Sequence, residues 1–300
     1  MNTKSMCWSL FAGLLMLATA PSFAATGKYT IRFGRSYKVN QKFRVTSFGQ
    51  FQRSTVSMMG PRVLRQNKRA VTYRYSAELL ILKVTTQGQP ISETQKVIRY
   101  EKKIGKHWIA VLAPGTVIHG DVVNGKKIFS IKGQPVQRTK REMPSSVTRL
   151  DRVSGPSDDQ IFGSSKARAI GESWSINNAL AAKSLTKAKV TVQAKNLKGK
   201  TSFVGLSTIQ GQRCVELRGK IDINALNVGL PPMFTHRKGR AEVSLTGHFP
   251  VDLAIPVLRL KRSTLMTFHA SGHPQPGTPM VQVKLRMENN VSANFELLKN

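Results

Sequence analysis

Strict alternation of apolar and polar residues is the feature that most constrains the fold of this chain. In residues 190–195, 241–248 and 281–288 every second residue is apolar or glycine, and those between are polar or charged. A strand points successive side chains to opposite faces, so the pattern is typical of a strand with one face in a core and one in water. Antiparallel sheets commonly have such a wet face. The chain is therefore predicted to be all-β.

Turn residues between the alternating segments support this prediction. Asn124-Gly125 lies between residues 116–123 and 126–131, and this dipeptide is typical of a type I′ hairpin turn. Helical signals are few: residues 178–185 follow a capping asparagine, and residues 157–162 could add one turn. We expect two antiparallel units, each a curved sheet or half-barrel, with at most one or two short helices.

A stretch rich in proline, glycine and serine divides the chain. Residues 144–165 show little alternation and have the composition of a connection between two β units. The predicted domains are residues 25–150, a basic N-terminal β unit, and residues 151–300, a C-terminal β unit.

Residues 1–24 have the composition of a secretory signal peptide. Lys4 precedes an apolar run over residues 7–20, and Ser22 and Ala24 fit the small-residue positions before a signal peptidase cleavage site. The run is shorter than the roughly 20 residues of a membrane-spanning helix, which disfavours an uncleaved anchor. We expect an exported protein, periplasmic or extracellular.

Charge gives the main indication of a partner. The chain has 47 lysines and arginines against 15 acidic residues, a net charge of +32. Residues 25–155 alone hold 26 basic and 6 acidic residues. Such an excess attracts anions over long range at low salt. The predicted partner is an anionic envelope component: a lipid headgroup, lipopolysaccharide or acidic polysaccharide. The alternative is a basic surface that is merely solvated.

Ten cations of the N-terminal half are the candidate anion-binding residues. They are clustered in predicted turns or at strand ends, where a long cationic side chain can reach a phosphate or carboxylate. They are Arg62, Arg65, Lys68, Arg69, Lys102, Lys103, Lys106, Arg138, Lys140 and Arg141.

Aromatic residues interleave with these cations, as they do in proteins that bind single-stranded nucleic acid. Tyr73, Tyr75 and Tyr100 are examples. Aromatic residues at this spacing are also typical of strands that face a core. We favour the core interpretation, and nucleic acid is a disfavoured partner, because the sequence contains no nucleic-acid-binding motif and is predicted to be exported.

No residue pattern predicts an enzyme, a metal site or a cofactor. His269 and His273 are four residues apart, but no nearby acidic residue or cysteine completes the three or four ligands of a zinc centre. Cys214 is the one cysteine that would remain after cleavage. It falls on the polar side of the alternation, and the nearby Arg213 and Arg218 would favour its thiolate.

The sequence therefore predicts a non-enzymatic, exported binding or envelope-associated protein that contacts an anionic surface or polymer through lysine and arginine. One alternative is a periplasmic carrier of an apolar or lipid ligand, because a curved antiparallel sheet can enclose a cavity. A weaker alternative is a hydrolase that uses Cys214 as its nucleophile.

The segment Ile170-Gly171-Glu172-Ser173-Trp174 resembles a strand signature of uncharacterised, exported, β-rich bacterial proteins. The similarity extends over about residues 160–298 and includes the strand that begins at Gly211-Gln212. It implies a signal peptide and a β-rich fold. It implies no activity, and no catalytic residue is carried over from it.

Overall fold

The structure is a computed structural model that describes most of the chain. The described residues are 27–150, 155–187, 190–228, 233–273, 275 and 277–298. The predicted signal peptide, residues 1–24, lies outside them, as do the first four residues of the predicted C-terminal domain. The division of the chain at residue 150 stays a prediction.

Nearly all of the regular structure is antiparallel strand, so the all-β prediction is confirmed. The strands are β1 (Lys42–Met59), β2 (Arg62–Val84), β3 (Pro90–Ile104), β4 (His107–Leu112), β5 (Val117–Val123), β6 (Lys126–Ile131), β7 (Gln134–Pro135), β8 (Ser173–Ser175), β9 (Val190–Thr191), β10 (Leu197–Ile209), β11 (Gln212–Asn224), β12 (Asn227–Val228), β13 (Phe234–Pro250), β14 (Arg259–Gly272) and β15 (Val281–Leu297). The described residues form three α-helices: α1 (Glu142–Val147), α2 (Asp158–Phe162) and α3 (Asn178–Lys187).

Within the described part of the chain, thirteen strands form one open, curved sheet. Its order is β7-β6-β5-β3-β2-β1-β15-β14-β13-β11-β10-β8, with β4 paired to β3. The chain thus enters at the middle, meanders to one edge, crosses to the other edge and meanders back. The last strand, β15, pairs with β1 from Phe43↔Leu297 to Met58↔Gln282. This pairing makes the two meanders a single sheet and places the long strands β1, β2, β13, β14 and β15 near its centre.

The hairpin predicted at Asn124-Gly125 is confirmed. These residues connect β5 to β6 with φ angles of 49° and 69°, as a type I′ turn requires. The helices predicted at residues 157–162 and 178–185 correspond to α2 and α3. The α1 helix was not predicted, so the described residues hold one α-helix more than the expected one or two. No helix among the described residues has the length and apolar character needed to cross a membrane.

One face of the sheet, here called the inner face, carries the three buried clusters found among the described residues. Directly opposed residues of antiparallel strands share a face, so the inner side can be followed from strand to strand by register. In the N-terminal half it holds Phe43, Val45, Tyr73 and Tyr75, and α1 packs Met143 against them. In the C-terminal half two further clusters lie beneath α2 and α3 and beside the segment that precedes β1.

The aromatic side chains of β2 and β3 belong to this core. Tyr73, Tyr75 and Tyr100 are each 1% exposed, and Tyr75 packs edge-on against Tyr100 at 5.2 Å between ring centres. Rings buried in this way cannot stack with nucleotide bases, so the core interpretation of these aromatics is confirmed.

Candidate anion-binding groove

The candidate site lies where β1 and β2 extend beyond the N-terminal core. Along the inner side of β2, Tyr75, Tyr73 and Val71 of the core are followed towards the hairpin tip by Arg69, Asn67 and Arg65. Core side chains are thus followed by polar and cationic ones along one strand. On β1, Arg53 is directly opposite Arg69. Opposed side chains have Cβ atoms about 4.5–5.5 Å apart, and like charges in such a pair are destabilising.

Three adjoining cavities, which together we call the groove, share Arg69 as a lining residue. The first has a volume of about 420 Å³ and lies between the sheet and α1. The second, of about 410 Å³, lies over the tip of the β1–β2 hairpin, and the third, of about 280 Å³, extends towards β3 and β4. The cations that line the groove are Arg53, Arg65, Arg69, Lys102, Arg138, Lys140 and Arg262.

The groove has few negative charges to balance these cations. Among the described residues that line it, Glu142, at the start of α1, is the one carboxylate. Within the described residues, no carboxylate lies within 4.0 Å of the guanidinium nitrogens of Arg53, Arg69 or Arg262. Elsewhere the chain does form ion pairs, such as that of Arg44 with Glu78 at 3.3 Å. The groove therefore has an unbalanced positive potential.

Two groups in the groove have shifted pKa values. Arg262 is reached by solvent, but the protein around it removes part of its hydration, and this desolvation lowers its pKa. Burial, followed by interactions with the Glu142 carboxylate, raises the pKa of the Tyr73 hydroxyl. Arg69 has the opposite, weaker effect on this pKa, so the Tyr73 hydroxyl interacts with both Glu142 and Arg69 at the edge of the groove.

Apolar side chains form part of the groove floor. Phe51, Val71 and Met287 line the same 420 Å³ cavity as Arg53 and Arg69. Phe51 and Val71 also border the N-terminal core. The cavity can therefore contact a negative charge and an apolar group at the same time.

The structure brings five of the ten predicted cations into the groove and leaves five outside its lining. Those inside are Arg65, Arg69, Lys102, Arg138 and Lys140. The other five are Arg62, Lys68, Lys103, Lys106 and Arg141. Lys68 alternates with Arg69 along β2, and Lys103 is opposite Thr72, so both point to the outer face of the sheet.

Two groove residues, Arg53 and Arg262, were missed by sequence reasoning, which favoured dense clusters of cations. Arg53 continues the inner-face series Gly49 and Phe51 on β1, so an alternation argument could have found it. Arg262 is on the inner face, opposite Val291 of β15. Alternation with Leu260 and Met266 could have indicated its face, but no local sequence signal reveals its pairing with β15.

A second basic cavity lies on the outer face. Its lining includes Lys238, Arg240, His269 and Lys284, and its volume is about 520 Å³. Lys238, His269 and Lys284 are directly opposed across β13, β14 and β15. Among the described residues, no three His, Cys, Asp or Glu side chains are grouped as ligands for a metal ion.

The expectation that Cys214 favours its thiolate is wrong. Its side chain is completely buried, and its thiol donates a 3.4 Å hydrogen bond to the Gln212 carbonyl. Burial raises the pKa of this thiol and outweighs the opposing effect of Arg35. The arrangement is that of an inert structural cysteine, because the thiolate is the reactive form and burial disfavours it.

We expect Cys214 to resist a maleimide in the folded protein and to react fully in denaturant, since a buried thiol is reached only after local or global unfolding. The measurement is the mass increase over time of the chain without residues 1–24, here called the signal-free chain after the prediction for those residues, with free cysteine as the control for reagent activity. Labelling of the native chain at the rate of the denatured chain would contradict this burial.

Comparison with known proteins gives little further information. No protein-family model matches the sequence, and no curated protein matches it. A structure of lipovitellin, concerned with its lipid–protein interactions, is similar with a TM-score of 0.35 and 8% identity, over 88% of this chain and 26% of lipovitellin. The chain thus spans about a quarter of that protein. An outer membrane channel from Pseudomonas putida F1 is similar with a TM-score of 0.21 and 8% identity, over 87% of this chain and 97% of the channel. Likenesses at this level carry no argument about function.

Proposed function

We propose that this chain is an exported, non-enzymatic protein that binds an anionic component of the cell envelope through the groove. The ligand group is a phosphate or carboxylate, as in a lipid headgroup, lipopolysaccharide or an acidic polysaccharide. Arginine suits this role because its planar guanidinium can donate two parallel hydrogen bonds to either group.

The observation that carries the proposal is the Arg53–Arg69 pair. Two like charges directly opposite each other destabilise a sheet, and no carboxylate within 4.0 Å offsets this pair among the described residues. An anion bound between the two guanidinium groups would offset their repulsion and form a charge-assisted contact with each of them. A purely structural role would instead favour an ion pair or a neutral residue at one of the two positions.

Removing the pair is expected to abolish most of the binding. Hydrogen bonds to charged groups contribute about 1.5–3 kcal/mol each, so the double variant Arg53→Gln/Arg69→Gln should bind a short polyphosphate at least about tenfold more weakly. The measurement is isothermal titration calorimetry with the signal-free chain at two salt concentrations. The variant should also show a shallower salt dependence, because fewer charges take part in binding.

The matched control is Lys68→Gln/Lys103→Gln, which removes the same number of charges from the outer face. We expect this variant to retain nearly wild-type affinity. An equal loss in both variants would mean that binding follows total charge, and the groove proposal would be abandoned. Thermal unfolding checks that the groove variant is folded, and its stability should be unchanged or slightly higher because the repulsion is gone.

A further inference from the structure

We propose that the ligand of the groove is an anionic amphiphile. Its phosphate or carboxylate head is held by Arg53 and Arg69, and its alkyl chain lies across the inner faces of β15, β14 and β13. The inference rests on the proposed function, because it names the chemical class of the ligand that the groove takes.

The first support is the change in character along one row of opposed residues. Arg69 of β2 faces Arg53 of β1, Arg53 faces Met287 of β15, and Met287 faces Met266 of β14, which in turn faces Ala241 of β13. Two cations are thus followed by three apolar residues across the sheet. At about 4.8 Å per strand, the row from Arg53 to Ala241 spans about 14 Å, which is a length suited to a medium alkyl chain.

The second support is a set of apolar side chains that no core cluster uses. Leu285 and Met287 of β15, with Val243 and Leu245 of β13, are on the inner face and half-exposed, and none of them belongs to the three buried clusters found among the described residues. They lie between the N-terminal cluster and the clusters under α2 and α3. Met266 of β14, opposite Met287, lies between the two pairs, and Leu245 is opposite Arg262. Partly exposed apolar surface beside a cation is a feature of many binding sites.

The third support is the scarcity of positive charge beyond the Arg53–Arg69 pair. Over the inner-face positions of residues 239–247, 262–270 and 283–291, Arg262 is the single cation. A long polyanion would need cations along its whole path, whereas an amphiphile needs them only at its head. The methionines on this part of the inner face suit a flexible alkyl chain, because their unbranched thioether side chains adapt to different shapes.

The test compares dodecyl phosphate with butyl phosphate by titration calorimetry below the micellar concentration, on the signal-free chain. Each methylene of the alkyl chain raises the affinity about fourfold when it is completely buried, and about twofold when it lies on an open surface. We therefore expect dodecyl phosphate to bind at least about a hundredfold more tightly. Its binding should also show a negative heat-capacity change, which marks burial of apolar surface.

Two matched leucine variants show where the alkyl chain of the ligand lies. Leu285 is on the inner face and Leu265 is on the outer face, opposite Glu288. Leu285→Ser is expected to weaken dodecyl phosphate binding about three- to tenfold and to leave butyl phosphate unchanged, because one apolar contact is lost, whereas Leu265→Ser should change neither. An equal effect of the two leucine variants would overturn the inference.

The outcomes separate this inference from the proposed function. If both phosphates bind with equal affinity and both lose it in Arg53→Gln/Arg69→Gln, the groove binds the anion alone: the inference fails and the proposed function stands. If uncharged dodecyl maltoside binds as tightly as dodecyl phosphate and the arginine variant changes neither, the groove is an apolar site and both fail.

Discussion

Replacing Glu93 with leucine is expected to lower the free energy of unfolding by about 3–5 kcal/mol, because each buried donor left without a partner costs about 1–3 kcal/mol. Glu93 is completely buried. Its carboxylate accepts hydrogen bonds from the Thr148 hydroxyl at 2.6 Å, the Gln95 amide at 2.7 Å and the Arg149 backbone N–H at 2.9 Å. Leucine satisfies none of these donors, and urea unfolding followed by circular dichroism measures the loss.

The control for this substitution is Glu101→Leu in the same strand. Glu101 is half-exposed and opposite Arg74 on the outer face, so its replacement is expected to change stability by less than about 0.5 kcal/mol. Equal effects of the two substitutions would show that the buried carboxylate contributes nothing specific. Glu93→Gln should fall between them, because the amide keeps one acceptor oxygen and turns the other into a donor.

The Glu93 network also positions one wall of the groove. Through Thr148 and Arg149 it holds the segment that follows α1, and the Gln95 amide donates a second bond to the Pro144 carbonyl inside that helix at 3.3 Å. The Arg149 guanidinium then crosses to the C-terminal half, where it donates to the Val257 carbonyl at 3.0 Å and lies over the Phe295 ring. Loss of Glu93 is therefore expected to weaken ligand binding as well as stability.

The strands were predictable because their signal is local. Alternation in residues 241–248 and 281–288 correctly predicts strands, and Asn124-Gly125 correctly predicts a turn. The strand predicted from alternation in residues 190–195 is wrong beyond Thr191, because β9 ends there and Ala194–Asn196 forms a short 3-10 helix. The pairing of β15 with β1 was not predictable, because those strands are more than 200 residues apart in the sequence and the alternation of each is compatible with many partners. That pairing decides which side chains lie beside Arg53.

The same reasoning explains why only half of the predicted cations line the groove. A dense run such as Arg65-Gln66-Asn67-Lys68-Arg69 alternates between faces once it forms a strand, so the run is split between the groove and the outer surface. For Cys214, the sequence pattern predicted too much exposure. Its polar neighbours suggested exposure, but its side chain is completely buried in the folded sheet.

The signature at residues 170–174 has a structural explanation. Gly171 has a φ of +87°, a conformation that side-chain-bearing residues rarely adopt. Glu172 forms a 3.6 Å ion pair with Arg168. Trp174 is 8% exposed, and its indole N–H is shared between the Phe162 carbonyl at 2.9 Å and the Gly163 carbonyl at 3.1 Å. The tryptophan therefore joins the C-terminal end of α2 to the edge strand β8.

Trp174→Ala is accordingly expected to lower the free energy of unfolding by about 3–5 kcal/mol, since it deletes a large buried ring and the donor to two carbonyls. Trp174→Phe keeps a buried ring and should cost about 1–2 kcal/mol, because the Phe162 carbonyl still accepts from the Thr201 hydroxyl at 3.1 Å. Trp108→Ala is the matched control: Trp108 is half-exposed beneath Arg74, and its loss should cost about 1 kcal/mol or less. Urea unfolding of the three variants decides the matter. Equal losses of stability for Trp174→Ala and Trp108→Ala would mean that the signature tryptophan has no special structural role. A larger loss for Trp174→Ala would mean that the signature serves to anchor α2. Such a structural role agrees with the absence of any activity implied by the signature.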